Sequence, residues 1–334
     1  MSQYSHLSTP DKEWLEVSAS FPAEPEEPLP LDILRRNLSK LVKINKERLD
    51  YPKSGMRVSD LSIPVQGASI VIRTYIPESN DDGSLFPVLV WFHGGGFRRG
   101  DVELDDTLMR LICKTSQISC VNVDYRLAPE HPFPIPVQDS YEAVKWVVVN
   151  ASSLSADLAK GFLVGGASSG GNIATVICLK ARDDPLLQGK LTGQILQIPV
   201  LCPTDTYPEK WKEELLSMSQ NSDAPMLNRK AMAQIFADYR PPDSTSPDVS
   251  PLLASSLRGL PPAYLQICGL DPLRDEAFLY GKLLRESGVP TKVAVYPGLP
   301  HAFWYPAPLI SGAKMYRMDT VEGIKWLIET KTVR

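Results

Sequence analysis

A glycine-framed serine, Gly166-Ala167-Ser168-Ser169-Gly170, stands between two apolar runs, and few folds can accommodate that arrangement. Phe162-Leu163-Val164 before it has the composition of a buried strand, and Ile173-Ala174-Thr175-Val176-Ile177 after it suits a helix. The pattern is strand, sharp turn, helix. A serine at such a turn takes a strained backbone conformation and projects its hydroxyl clear of a sheet. The flanking positions must be small so that strand and helix can approach. The helix that follows also turns its free N–H groups toward the same point.

A second glycine motif, His93-Gly94-Gly95-Gly96-Phe97, closes another buried-strand run, Phe86–Phe92. Glycines there let backbone N–H groups come close to a substrate carbonyl with no side chain in the way. Gly94, Gly95 and Gly96, with the N–H of Ser169, are the candidate donors of an oxyanion hole. The sequence does not choose which two glycines donate. G-x-S-x-G alone arises by chance in many chains, so the reading rests on both motifs standing at strand ends, in this order.

The chain of 334 residues is long enough for one large domain or two small ones. Lys plus Arg is 35 and Asp plus Glu is 39, a formal balance of −4, with no basic stripe for nucleic acid and no like-charge tail. The cysteines (Cys113, Cys120, Cys178, Cys202 and Cys268) sit among apolar neighbours and read as buried thiols, not as a disulfide framework or a metal site. The first residues have neither a basic nor an apolar signal region, and no apolar stretch reaches membrane-spanning length. The expectation is a soluble, cytoplasmic protein with no metal, cofactor or membrane span; oligomerisation is open.

From about residue 56 short strand runs alternate with helical stretches. Candidate strands are Arg57–Val65, Ile70–Ile76, Val88–Phe92, Cys120–Tyr125, Phe162–Val164, Gln194–Val200, Ala263–Cys268 and Lys292–Tyr296. The first two read as an antiparallel hairpin and the later ones as parallel βαβ winding, an α/β architecture. Helices are expected over Asp105–Lys114, Val137–Val149, Gly171–Arg182, Asp275–Ser287 and Ala313–Thr330. Two segments stand outside this alternation. Residues 9–50 open with Thr9-Pro10, read as a helix cap, and after the proline-rich Phe21–Pro30 contain an amphipathic helix with Leu34, Leu38, Leu41 and Val42 on one face. Residues 205–245 carry Trp211, Leu215 and Met218 at helical spacing, then Met232, Ile235, Phe236 and Tyr239. Both lack a strand partner. They are expected to pack together as a helical cap, 1–50 with 205–245, over the carboxyl ends of the strands, where open α/β sheets bind ligands.

A serine hydroxyl needs a base to take its proton, and the base needs an orienting carboxylate. Four histidines are available: His6 near the start, His93 in the glycine loop, His131 among prolines, and His301 past the strand Lys292–Tyr296. His301 is the expected base, placed on a loop at a strand's carboxyl end. Asp271 lies just past the tip of the strand that ends Leu265-Gln-Ile-Cys-Gly269 and is the expected carboxylate; Asp275 and Glu276 fall in the next helix's first turn and read as dipole and capping residues. The order Ser168, Asp271, His301 is that of an α/β-hydrolase.

His93–Phe97, Asp124–Glu130, Gly166–Asn172, Asp271–Glu276 and His301-Ala-Phe303 together resemble the ordered motif set of the hormone-sensitive-lipase-like branch of α/β-hydrolases, over about residues 60–330. The resemblance implies a single α/β-hydrolase domain, a mixed and mostly parallel eight-stranded sheet flanked by helices, and a cap. It implies Ser168 as nucleophile with Asp271 and His301, an oxyanion hole from Gly94–Gly96 and Ser169, and Asp124–Glu130 as a structural brace. Ala167 and Ser169 depart from the family's usual acid and alanine around the nucleophile. Arg98-Arg99 is a second departure, read first as a solvated pair and second as a grip for a carboxylate-bearing substrate.

The expected activity is cofactor-free hydrolysis of small or medium apolar carboxylic esters through an acyl enzyme. Trp211, Met218, Met232 and Phe236 of the cap, with Phe97 and Trp304, are the candidate acyl pocket, or equally plain core. The rival readings are a ligand receptor on the same scaffold and an enzyme of acyl transfer, elimination or cyclisation.

Overall fold

Gln66-Gly67 makes the expected hairpin: β1 (Met56–Val65) and β2 (Ala68–Pro77) pair antiparallel across it, with Gly67 at φ +73°. The computed structural model describes residues 3–22, 29–79, 81 and 83–330. The remaining strands are β3 (Val88–Phe92), β4 (Ser119–Asp124), β5 (Phe162–Ala167), β6 (Gly193–Gln197), β7 (Ala263–Leu270) and β8 (Thr291–Pro300). Among the described residues they form one eight-stranded sheet in the order β1-β2-β4-β3-β5-β6-β7-β8. β2 meets β4 antiparallel, and every pair from β4 to β8 is parallel. The mixed, mostly parallel eight-stranded sheet is the expected one, with helices on both faces.

The helices are α1 (Lys12–Ser18), α2 (Leu31–Arg48), α3 (Asp106–Ser116), α4 (Ile135–Val149), α5 (Ser169–Asp183), α6 (Ser217–Gln220), α7 (Arg229–Tyr239), α8 (Arg274–Glu286) and α9 (Ser311–Thr330). Alternation along the strands assigns the faces. Val88, Val90 and Phe92 of β3 join Val144 of α4, Ile173 of α5 and Leu284 of α8 in one core. Leu89 and Trp91 join Met109 and Ile112 of α3 and Ile324 of α9 in the other. Parallel strands so covered must be apolar on both sides, which is why they read as unbroken runs.

Strand order positions the site. β3 lies between β4 and β5, so the loop after β3 and the turn after β5 emerge side by side at the carboxyl edge. β7 and β8 bring the loops after them to the same edge.

Several boundaries differ from the sequence expectation. β6 stops at Gln197, short of Val200, because Ile198 takes φ +41° and Pro199 follows. β8 runs on to Pro300, prolines being tolerated on an edge strand, so His301 follows the strand directly instead of a loop. The N-cap of α1 is Asp11, not Thr9: its carboxylate accepts the Trp14 N–H at 3.0 Å. The helical spacing of Trp211, Leu215 and Met218 is not one helix but a 3₁₀ turn, Glu209–Trp211, followed by the short α6. Leu215, Met218, Met232, Ile235 and Tyr239 run into the α5-side core, and Trp14 into the α9-side core. Residues 1–2 and 23–28 of the expected cap lie outside the described residues.

Candidate active site

Ser168 sits between β5 and α5 at φ +55°, ψ −113°. A non-glycine residue there stores about 1–3 kcal/mol of strain and must be held by its surroundings. Its N–H donates to the Gln197 carbonyl at 2.8 Å, and its carbonyl accepts from Asn172 N at 3.0 Å and Val200 N at 3.2 Å. The glycines are required by contact. A Cβ on Gly166 would lie 2.4 Å from the Phe92 carbonyl oxygen, and one on Gly170 would lie 1.9 Å from it. The turn is sharp because α5 rests directly on β3 and β5.

His301 and Asp271 reach Ser168 from the neighbouring strand ends. His301 Nε2 is 2.9 Å from Ser168 Oγ, and His301 Nδ1 is 2.8 Å from Asp271 Oδ2. A carboxylate only accepts, so Nδ1–H donates to it and Nε2 is left to accept the serine proton. Asp271 Oδ1 accepts the Leu273 N–H at 2.8 Å, which fixes the carboxylate plane. Asn221, at the end of α6, donates Nδ2–H to the Asp271 carbonyl at 2.9 Å. Asp271 and His301 are 1% and 5% exposed, so their hydrogen bonds operate in a low-dielectric interior.

The glycine loop curls beside Ser168. A Cβ on Gly94 would lie 3.1 Å from the Ala167 carbonyl oxygen, so loop and turn are in contact. Gly95, Gly96 and Phe97 take φ +117°, +65° and +59°. The N–H groups of Arg98 and Arg99 fold back on the Gly95 carbonyl at 3.3 and 3.1 Å, whereas those of Gly95 and Gly96 have no described acceptor. Ser169 opens α5, and its N–H has no intrahelical partner. Unpaired N–H groups beside a serine–imidazole–carboxylate chain are what a developing oxyanion requires.

His93 is a brace. Its Nδ1–H donates to the Gly94 carbonyl at 2.7 Å, its ring stacks on Tyr125 at 4.3 Å, and the Tyr125 hydroxyl donates to the His93 carbonyl at 2.7 Å. Full burial pushes its pKa down to about 4, which keeps the ring neutral. His6 and His131 are exposed and outside the site. The Asp124–Glu130 stretch braces the loop from below. Arg126 is bidentate to Asp139 (2.8 and 2.7 Å), and Ala128 N donates to the Phe97 carbonyl at 2.9 Å.

Two expectations change here. Asp275 and Glu276 lie in the first turn of α8, as expected, but their carboxylates do not cap α8 and face other partners. Asp275 pairs with Arg274 at 2.8 Å and accepts the N–H groups of Leu216 and Ser217 at 3.0 and 2.8 Å. Glu276 accepts from Leu201 N and Cys202 N at 2.9 and 3.0 Å and from the Tyr207 hydroxyl. Arg98 and Arg99 are not a solvated pair either. Arg98 is 7% exposed and pairs with Asp238 at 3.1 Å, while Arg99 is half-buried with no ion pair among the described residues. Burial lowers the pKa of both.

Of the pocket candidates, Phe97 stacks face to face on Tyr239 at 3.9 Å. Trp304 stacks on Tyr316 at 4.1 Å in the α9-side core. Met218 and Met232 are buried, and Trp211 and Phe236 are partly buried against the α5-side core. Asn221, Asp238 and Arg35 were not anticipated, since polar residues dozens of positions away carry no periodic signal.

A family model described as alpha/beta hydrolase fold matches residues 89–305. The versiconal hemiacetal acetate esterase of Dothistroma septosporum is 36% identical over 72% of this chain and 74% of its own. A solved vibralactone cyclase superposes with TM-score 0.92 at 39% identity, covering 98% of this chain and 97% of its own. A hyperthermophilic esterase from Pyrobaculum calidifontis gives TM-score 0.81 at 34% identity, covering 90% and 94%. No helix among the described residues is long and apolar enough to cross a membrane.

Proposed function

This chain belongs to the hormone-sensitive-lipase-like branch of the α/β-hydrolases and is a carboxylesterase-type hydrolase, and we propose that Ser168 carries its chemistry through an acyl enzyme. The observation that supports this most is the unbroken chain from Ser168 Oγ to His301 Nε2 (2.9 Å) and from His301 Nδ1 to Asp271 Oδ2 (2.8 Å). His301 takes the serine proton as Oγ attacks the ester carbonyl, and the carbonyl π pair moves onto oxygen. N–H groups from Gly94–Gly96 and Ser169 receive that oxyanion. The imidazolium, held by Asp271, gives the proton to the departing alkoxide. Water, deprotonated by His301, then releases the acid and restores Ser168. α1, α2 and residues 205–245 serve as the cap, and the substrates are small or medium apolar acyl esters bounded by Trp211, Met218, Met232 and Phe236.

A second reading is favoured by the extent of the match to the vibralactone cyclase. The same acyl enzyme can be released by a nucleophile within the substrate, closing a ring, instead of by water. The esterase-type relatives set a non-catalytic receptor aside.

Ser168→Ala tests the reading. Turnover of p-nitrophenyl acetate to hexanoate should fall about 10³–10⁶-fold, and the wild-type profile across that series gives the acyl preference. Ester turnover surviving in the variant would refute it. Product analysis on hydroxy-esters separates the two modes of release: free acid marks water, and a lactone marks ring closure.

A further inference from the structure

Two helices outside the sheet reach the glycine loop at the same residue. Arg98 Nη1 lies 3.1 Å from Asp238 Oδ2 on α7, and Arg35 Nε on α2 donates to the Arg98 carbonyl at 2.8 Å. The contacts continue along α7. A Cβ on Gly96 would lie 2.8 Å from Ile235 Cδ1, and the Phe97 ring lies 3° from parallel with Tyr239. Ile235, Asp238 and Tyr239 fall at i, i+3 and i+4, one face of one helix, and they meet loop residues 96, 98 and 97.

The loop needs that support. Gly95, Gly96 and Phe97 occupy positive φ in succession, and for Phe97 the conformation costs about 1–2 kcal/mol. Its internal backbone bonds among the described residues are the two from Arg98 N and Arg99 N to the Gly95 carbonyl, beside the His93 ring's bond to the Gly94 carbonyl. They close a turn but do not set its tilt toward Ser168. The Arg98–Asp238 pair is largely desolvated (side chains 8% and 21% exposed), so its attraction is weakly screened.

We propose that Arg98 and Asp238 are positioning residues, a clamp by which α7, backed by Arg35 of α2, holds the Gly95 and Gly96 N–H groups on the position the oxyanion will occupy. The inference rests on the Ser168 reading. It gives Arg98 a role in the rate of acyl transfer, with no contact to the substrate.

The test uses the full chain carrying Asp238→Asn, Asp238→Glu or Arg35→Gln. A trifluoromethyl ketone reports on the loop, because addition of Ser168 Oγ to its carbonyl carbon creates the same oxyanion. For Asp238→Asn, kcat should fall about 10–100-fold, with KM within about threefold of wild type. The ketone's Ki should rise by the factor by which kcat/KM falls, and Asp238→Glu should recover part of both. Arg35 is about one-third exposed, so Arg35→Gln reads the α2 arm should Asp238→Asn fail to fold, with the same paired change in smaller measure. Unchanged kcat and Ki in folded variants, a rise in KM alone, or a fall in kcat with Ki unmoved would each overturn the clamp. Ser168→Ala serves as the control: turnover surviving there sinks the Ser168 reading itself, whereas its loss beside an unaffected Asp238→Asn sinks the clamp alone.

Discussion

Asp271, Asp275 and Glu276 are near neighbours in sequence, yet each carboxylate faces a different part of the molecule. Asp271 faces the His301 imidazole, Asp275 faces Arg274 and the start of α6, and Glu276 faces the Leu201–Tyr207 turn. Asp271→Asn should lower turnover on the order of 10⁴-fold, because the amide no longer selects the tautomer that accepts the serine proton. Asp275→Asn should leave kcat within a few-fold of wild type. It should cost stability of about 3–5 kcal/mol, since it breaks an ion pair that is 0% and 1% exposed. Steady-state kinetics beside urea unfolding distinguishes them, and the reverse pattern would mean that the orienting carboxylate is misassigned. Asp271 was legible in the sequence because it stands at a strand tip in the expected order. The anchoring work of Asp275 was not, because Leu216 and Ser217 are far away along the chain and nothing local marks the pairing.

At the scale of elements, the turn at Ser168 is a consequence of close packing. Gly170→Ala should be destabilising by at least about 1–3 kcal/mol, since its Cβ would meet backbone, the Phe92 carbonyl oxygen at 1.9 Å, which has little room to yield. The displaced helix should also lower kcat. A thermal melt and kinetics check both, and a variant with wild-type stability and rate would show that α5 does not press on β3 as described. Strands were the most legible elements, because two-sided burial demands the apolar runs that identify them. Their ends were less so: β6 is stopped by one residue at φ +41°, a tertiary effect, and β8 carries its prolines because it is an edge. The spacing of Trp211, Leu215 and Met218 fits a helix equally well as an irregular stretch with three apolar contacts.

Across the whole molecule, sheet order does what the sequence could only imply. The pairing of β3 with both β4 and β5 sets the glycine loop beside Ser168, and β7 and β8 deliver Asp271 and His301. The first helices are bound to all of this. Asp11 N donates to the Gly298 carbonyl at 3.1 Å, and a Cβ on Gly269 would lie 2.2 Å from the Leu7 carbonyl oxygen. Asn45 Nδ2 donates to the Tyr305 carbonyl at 2.7 Å and Arg35 Nε to the Arg98 carbonyl at 2.8 Å. Leu7, Asp11, Arg35 and Asn45 thus touch the strands and loops that carry Asp271, His301 and the glycines, ties invisible in sequence because they join backbone carbonyls.

The proposed chemistry has one activated serine take the acyl group. The most direct measurement is stoichiometric reaction of the full chain with a fluorophosphonate, followed by peptide mapping of the adduct. The expected result is one adduct on Ser168, formed in step with loss of ester turnover, with Ser169 unmodified. An adduct on Ser169 or elsewhere, or full turnover by protein modified at Ser168, would contradict it.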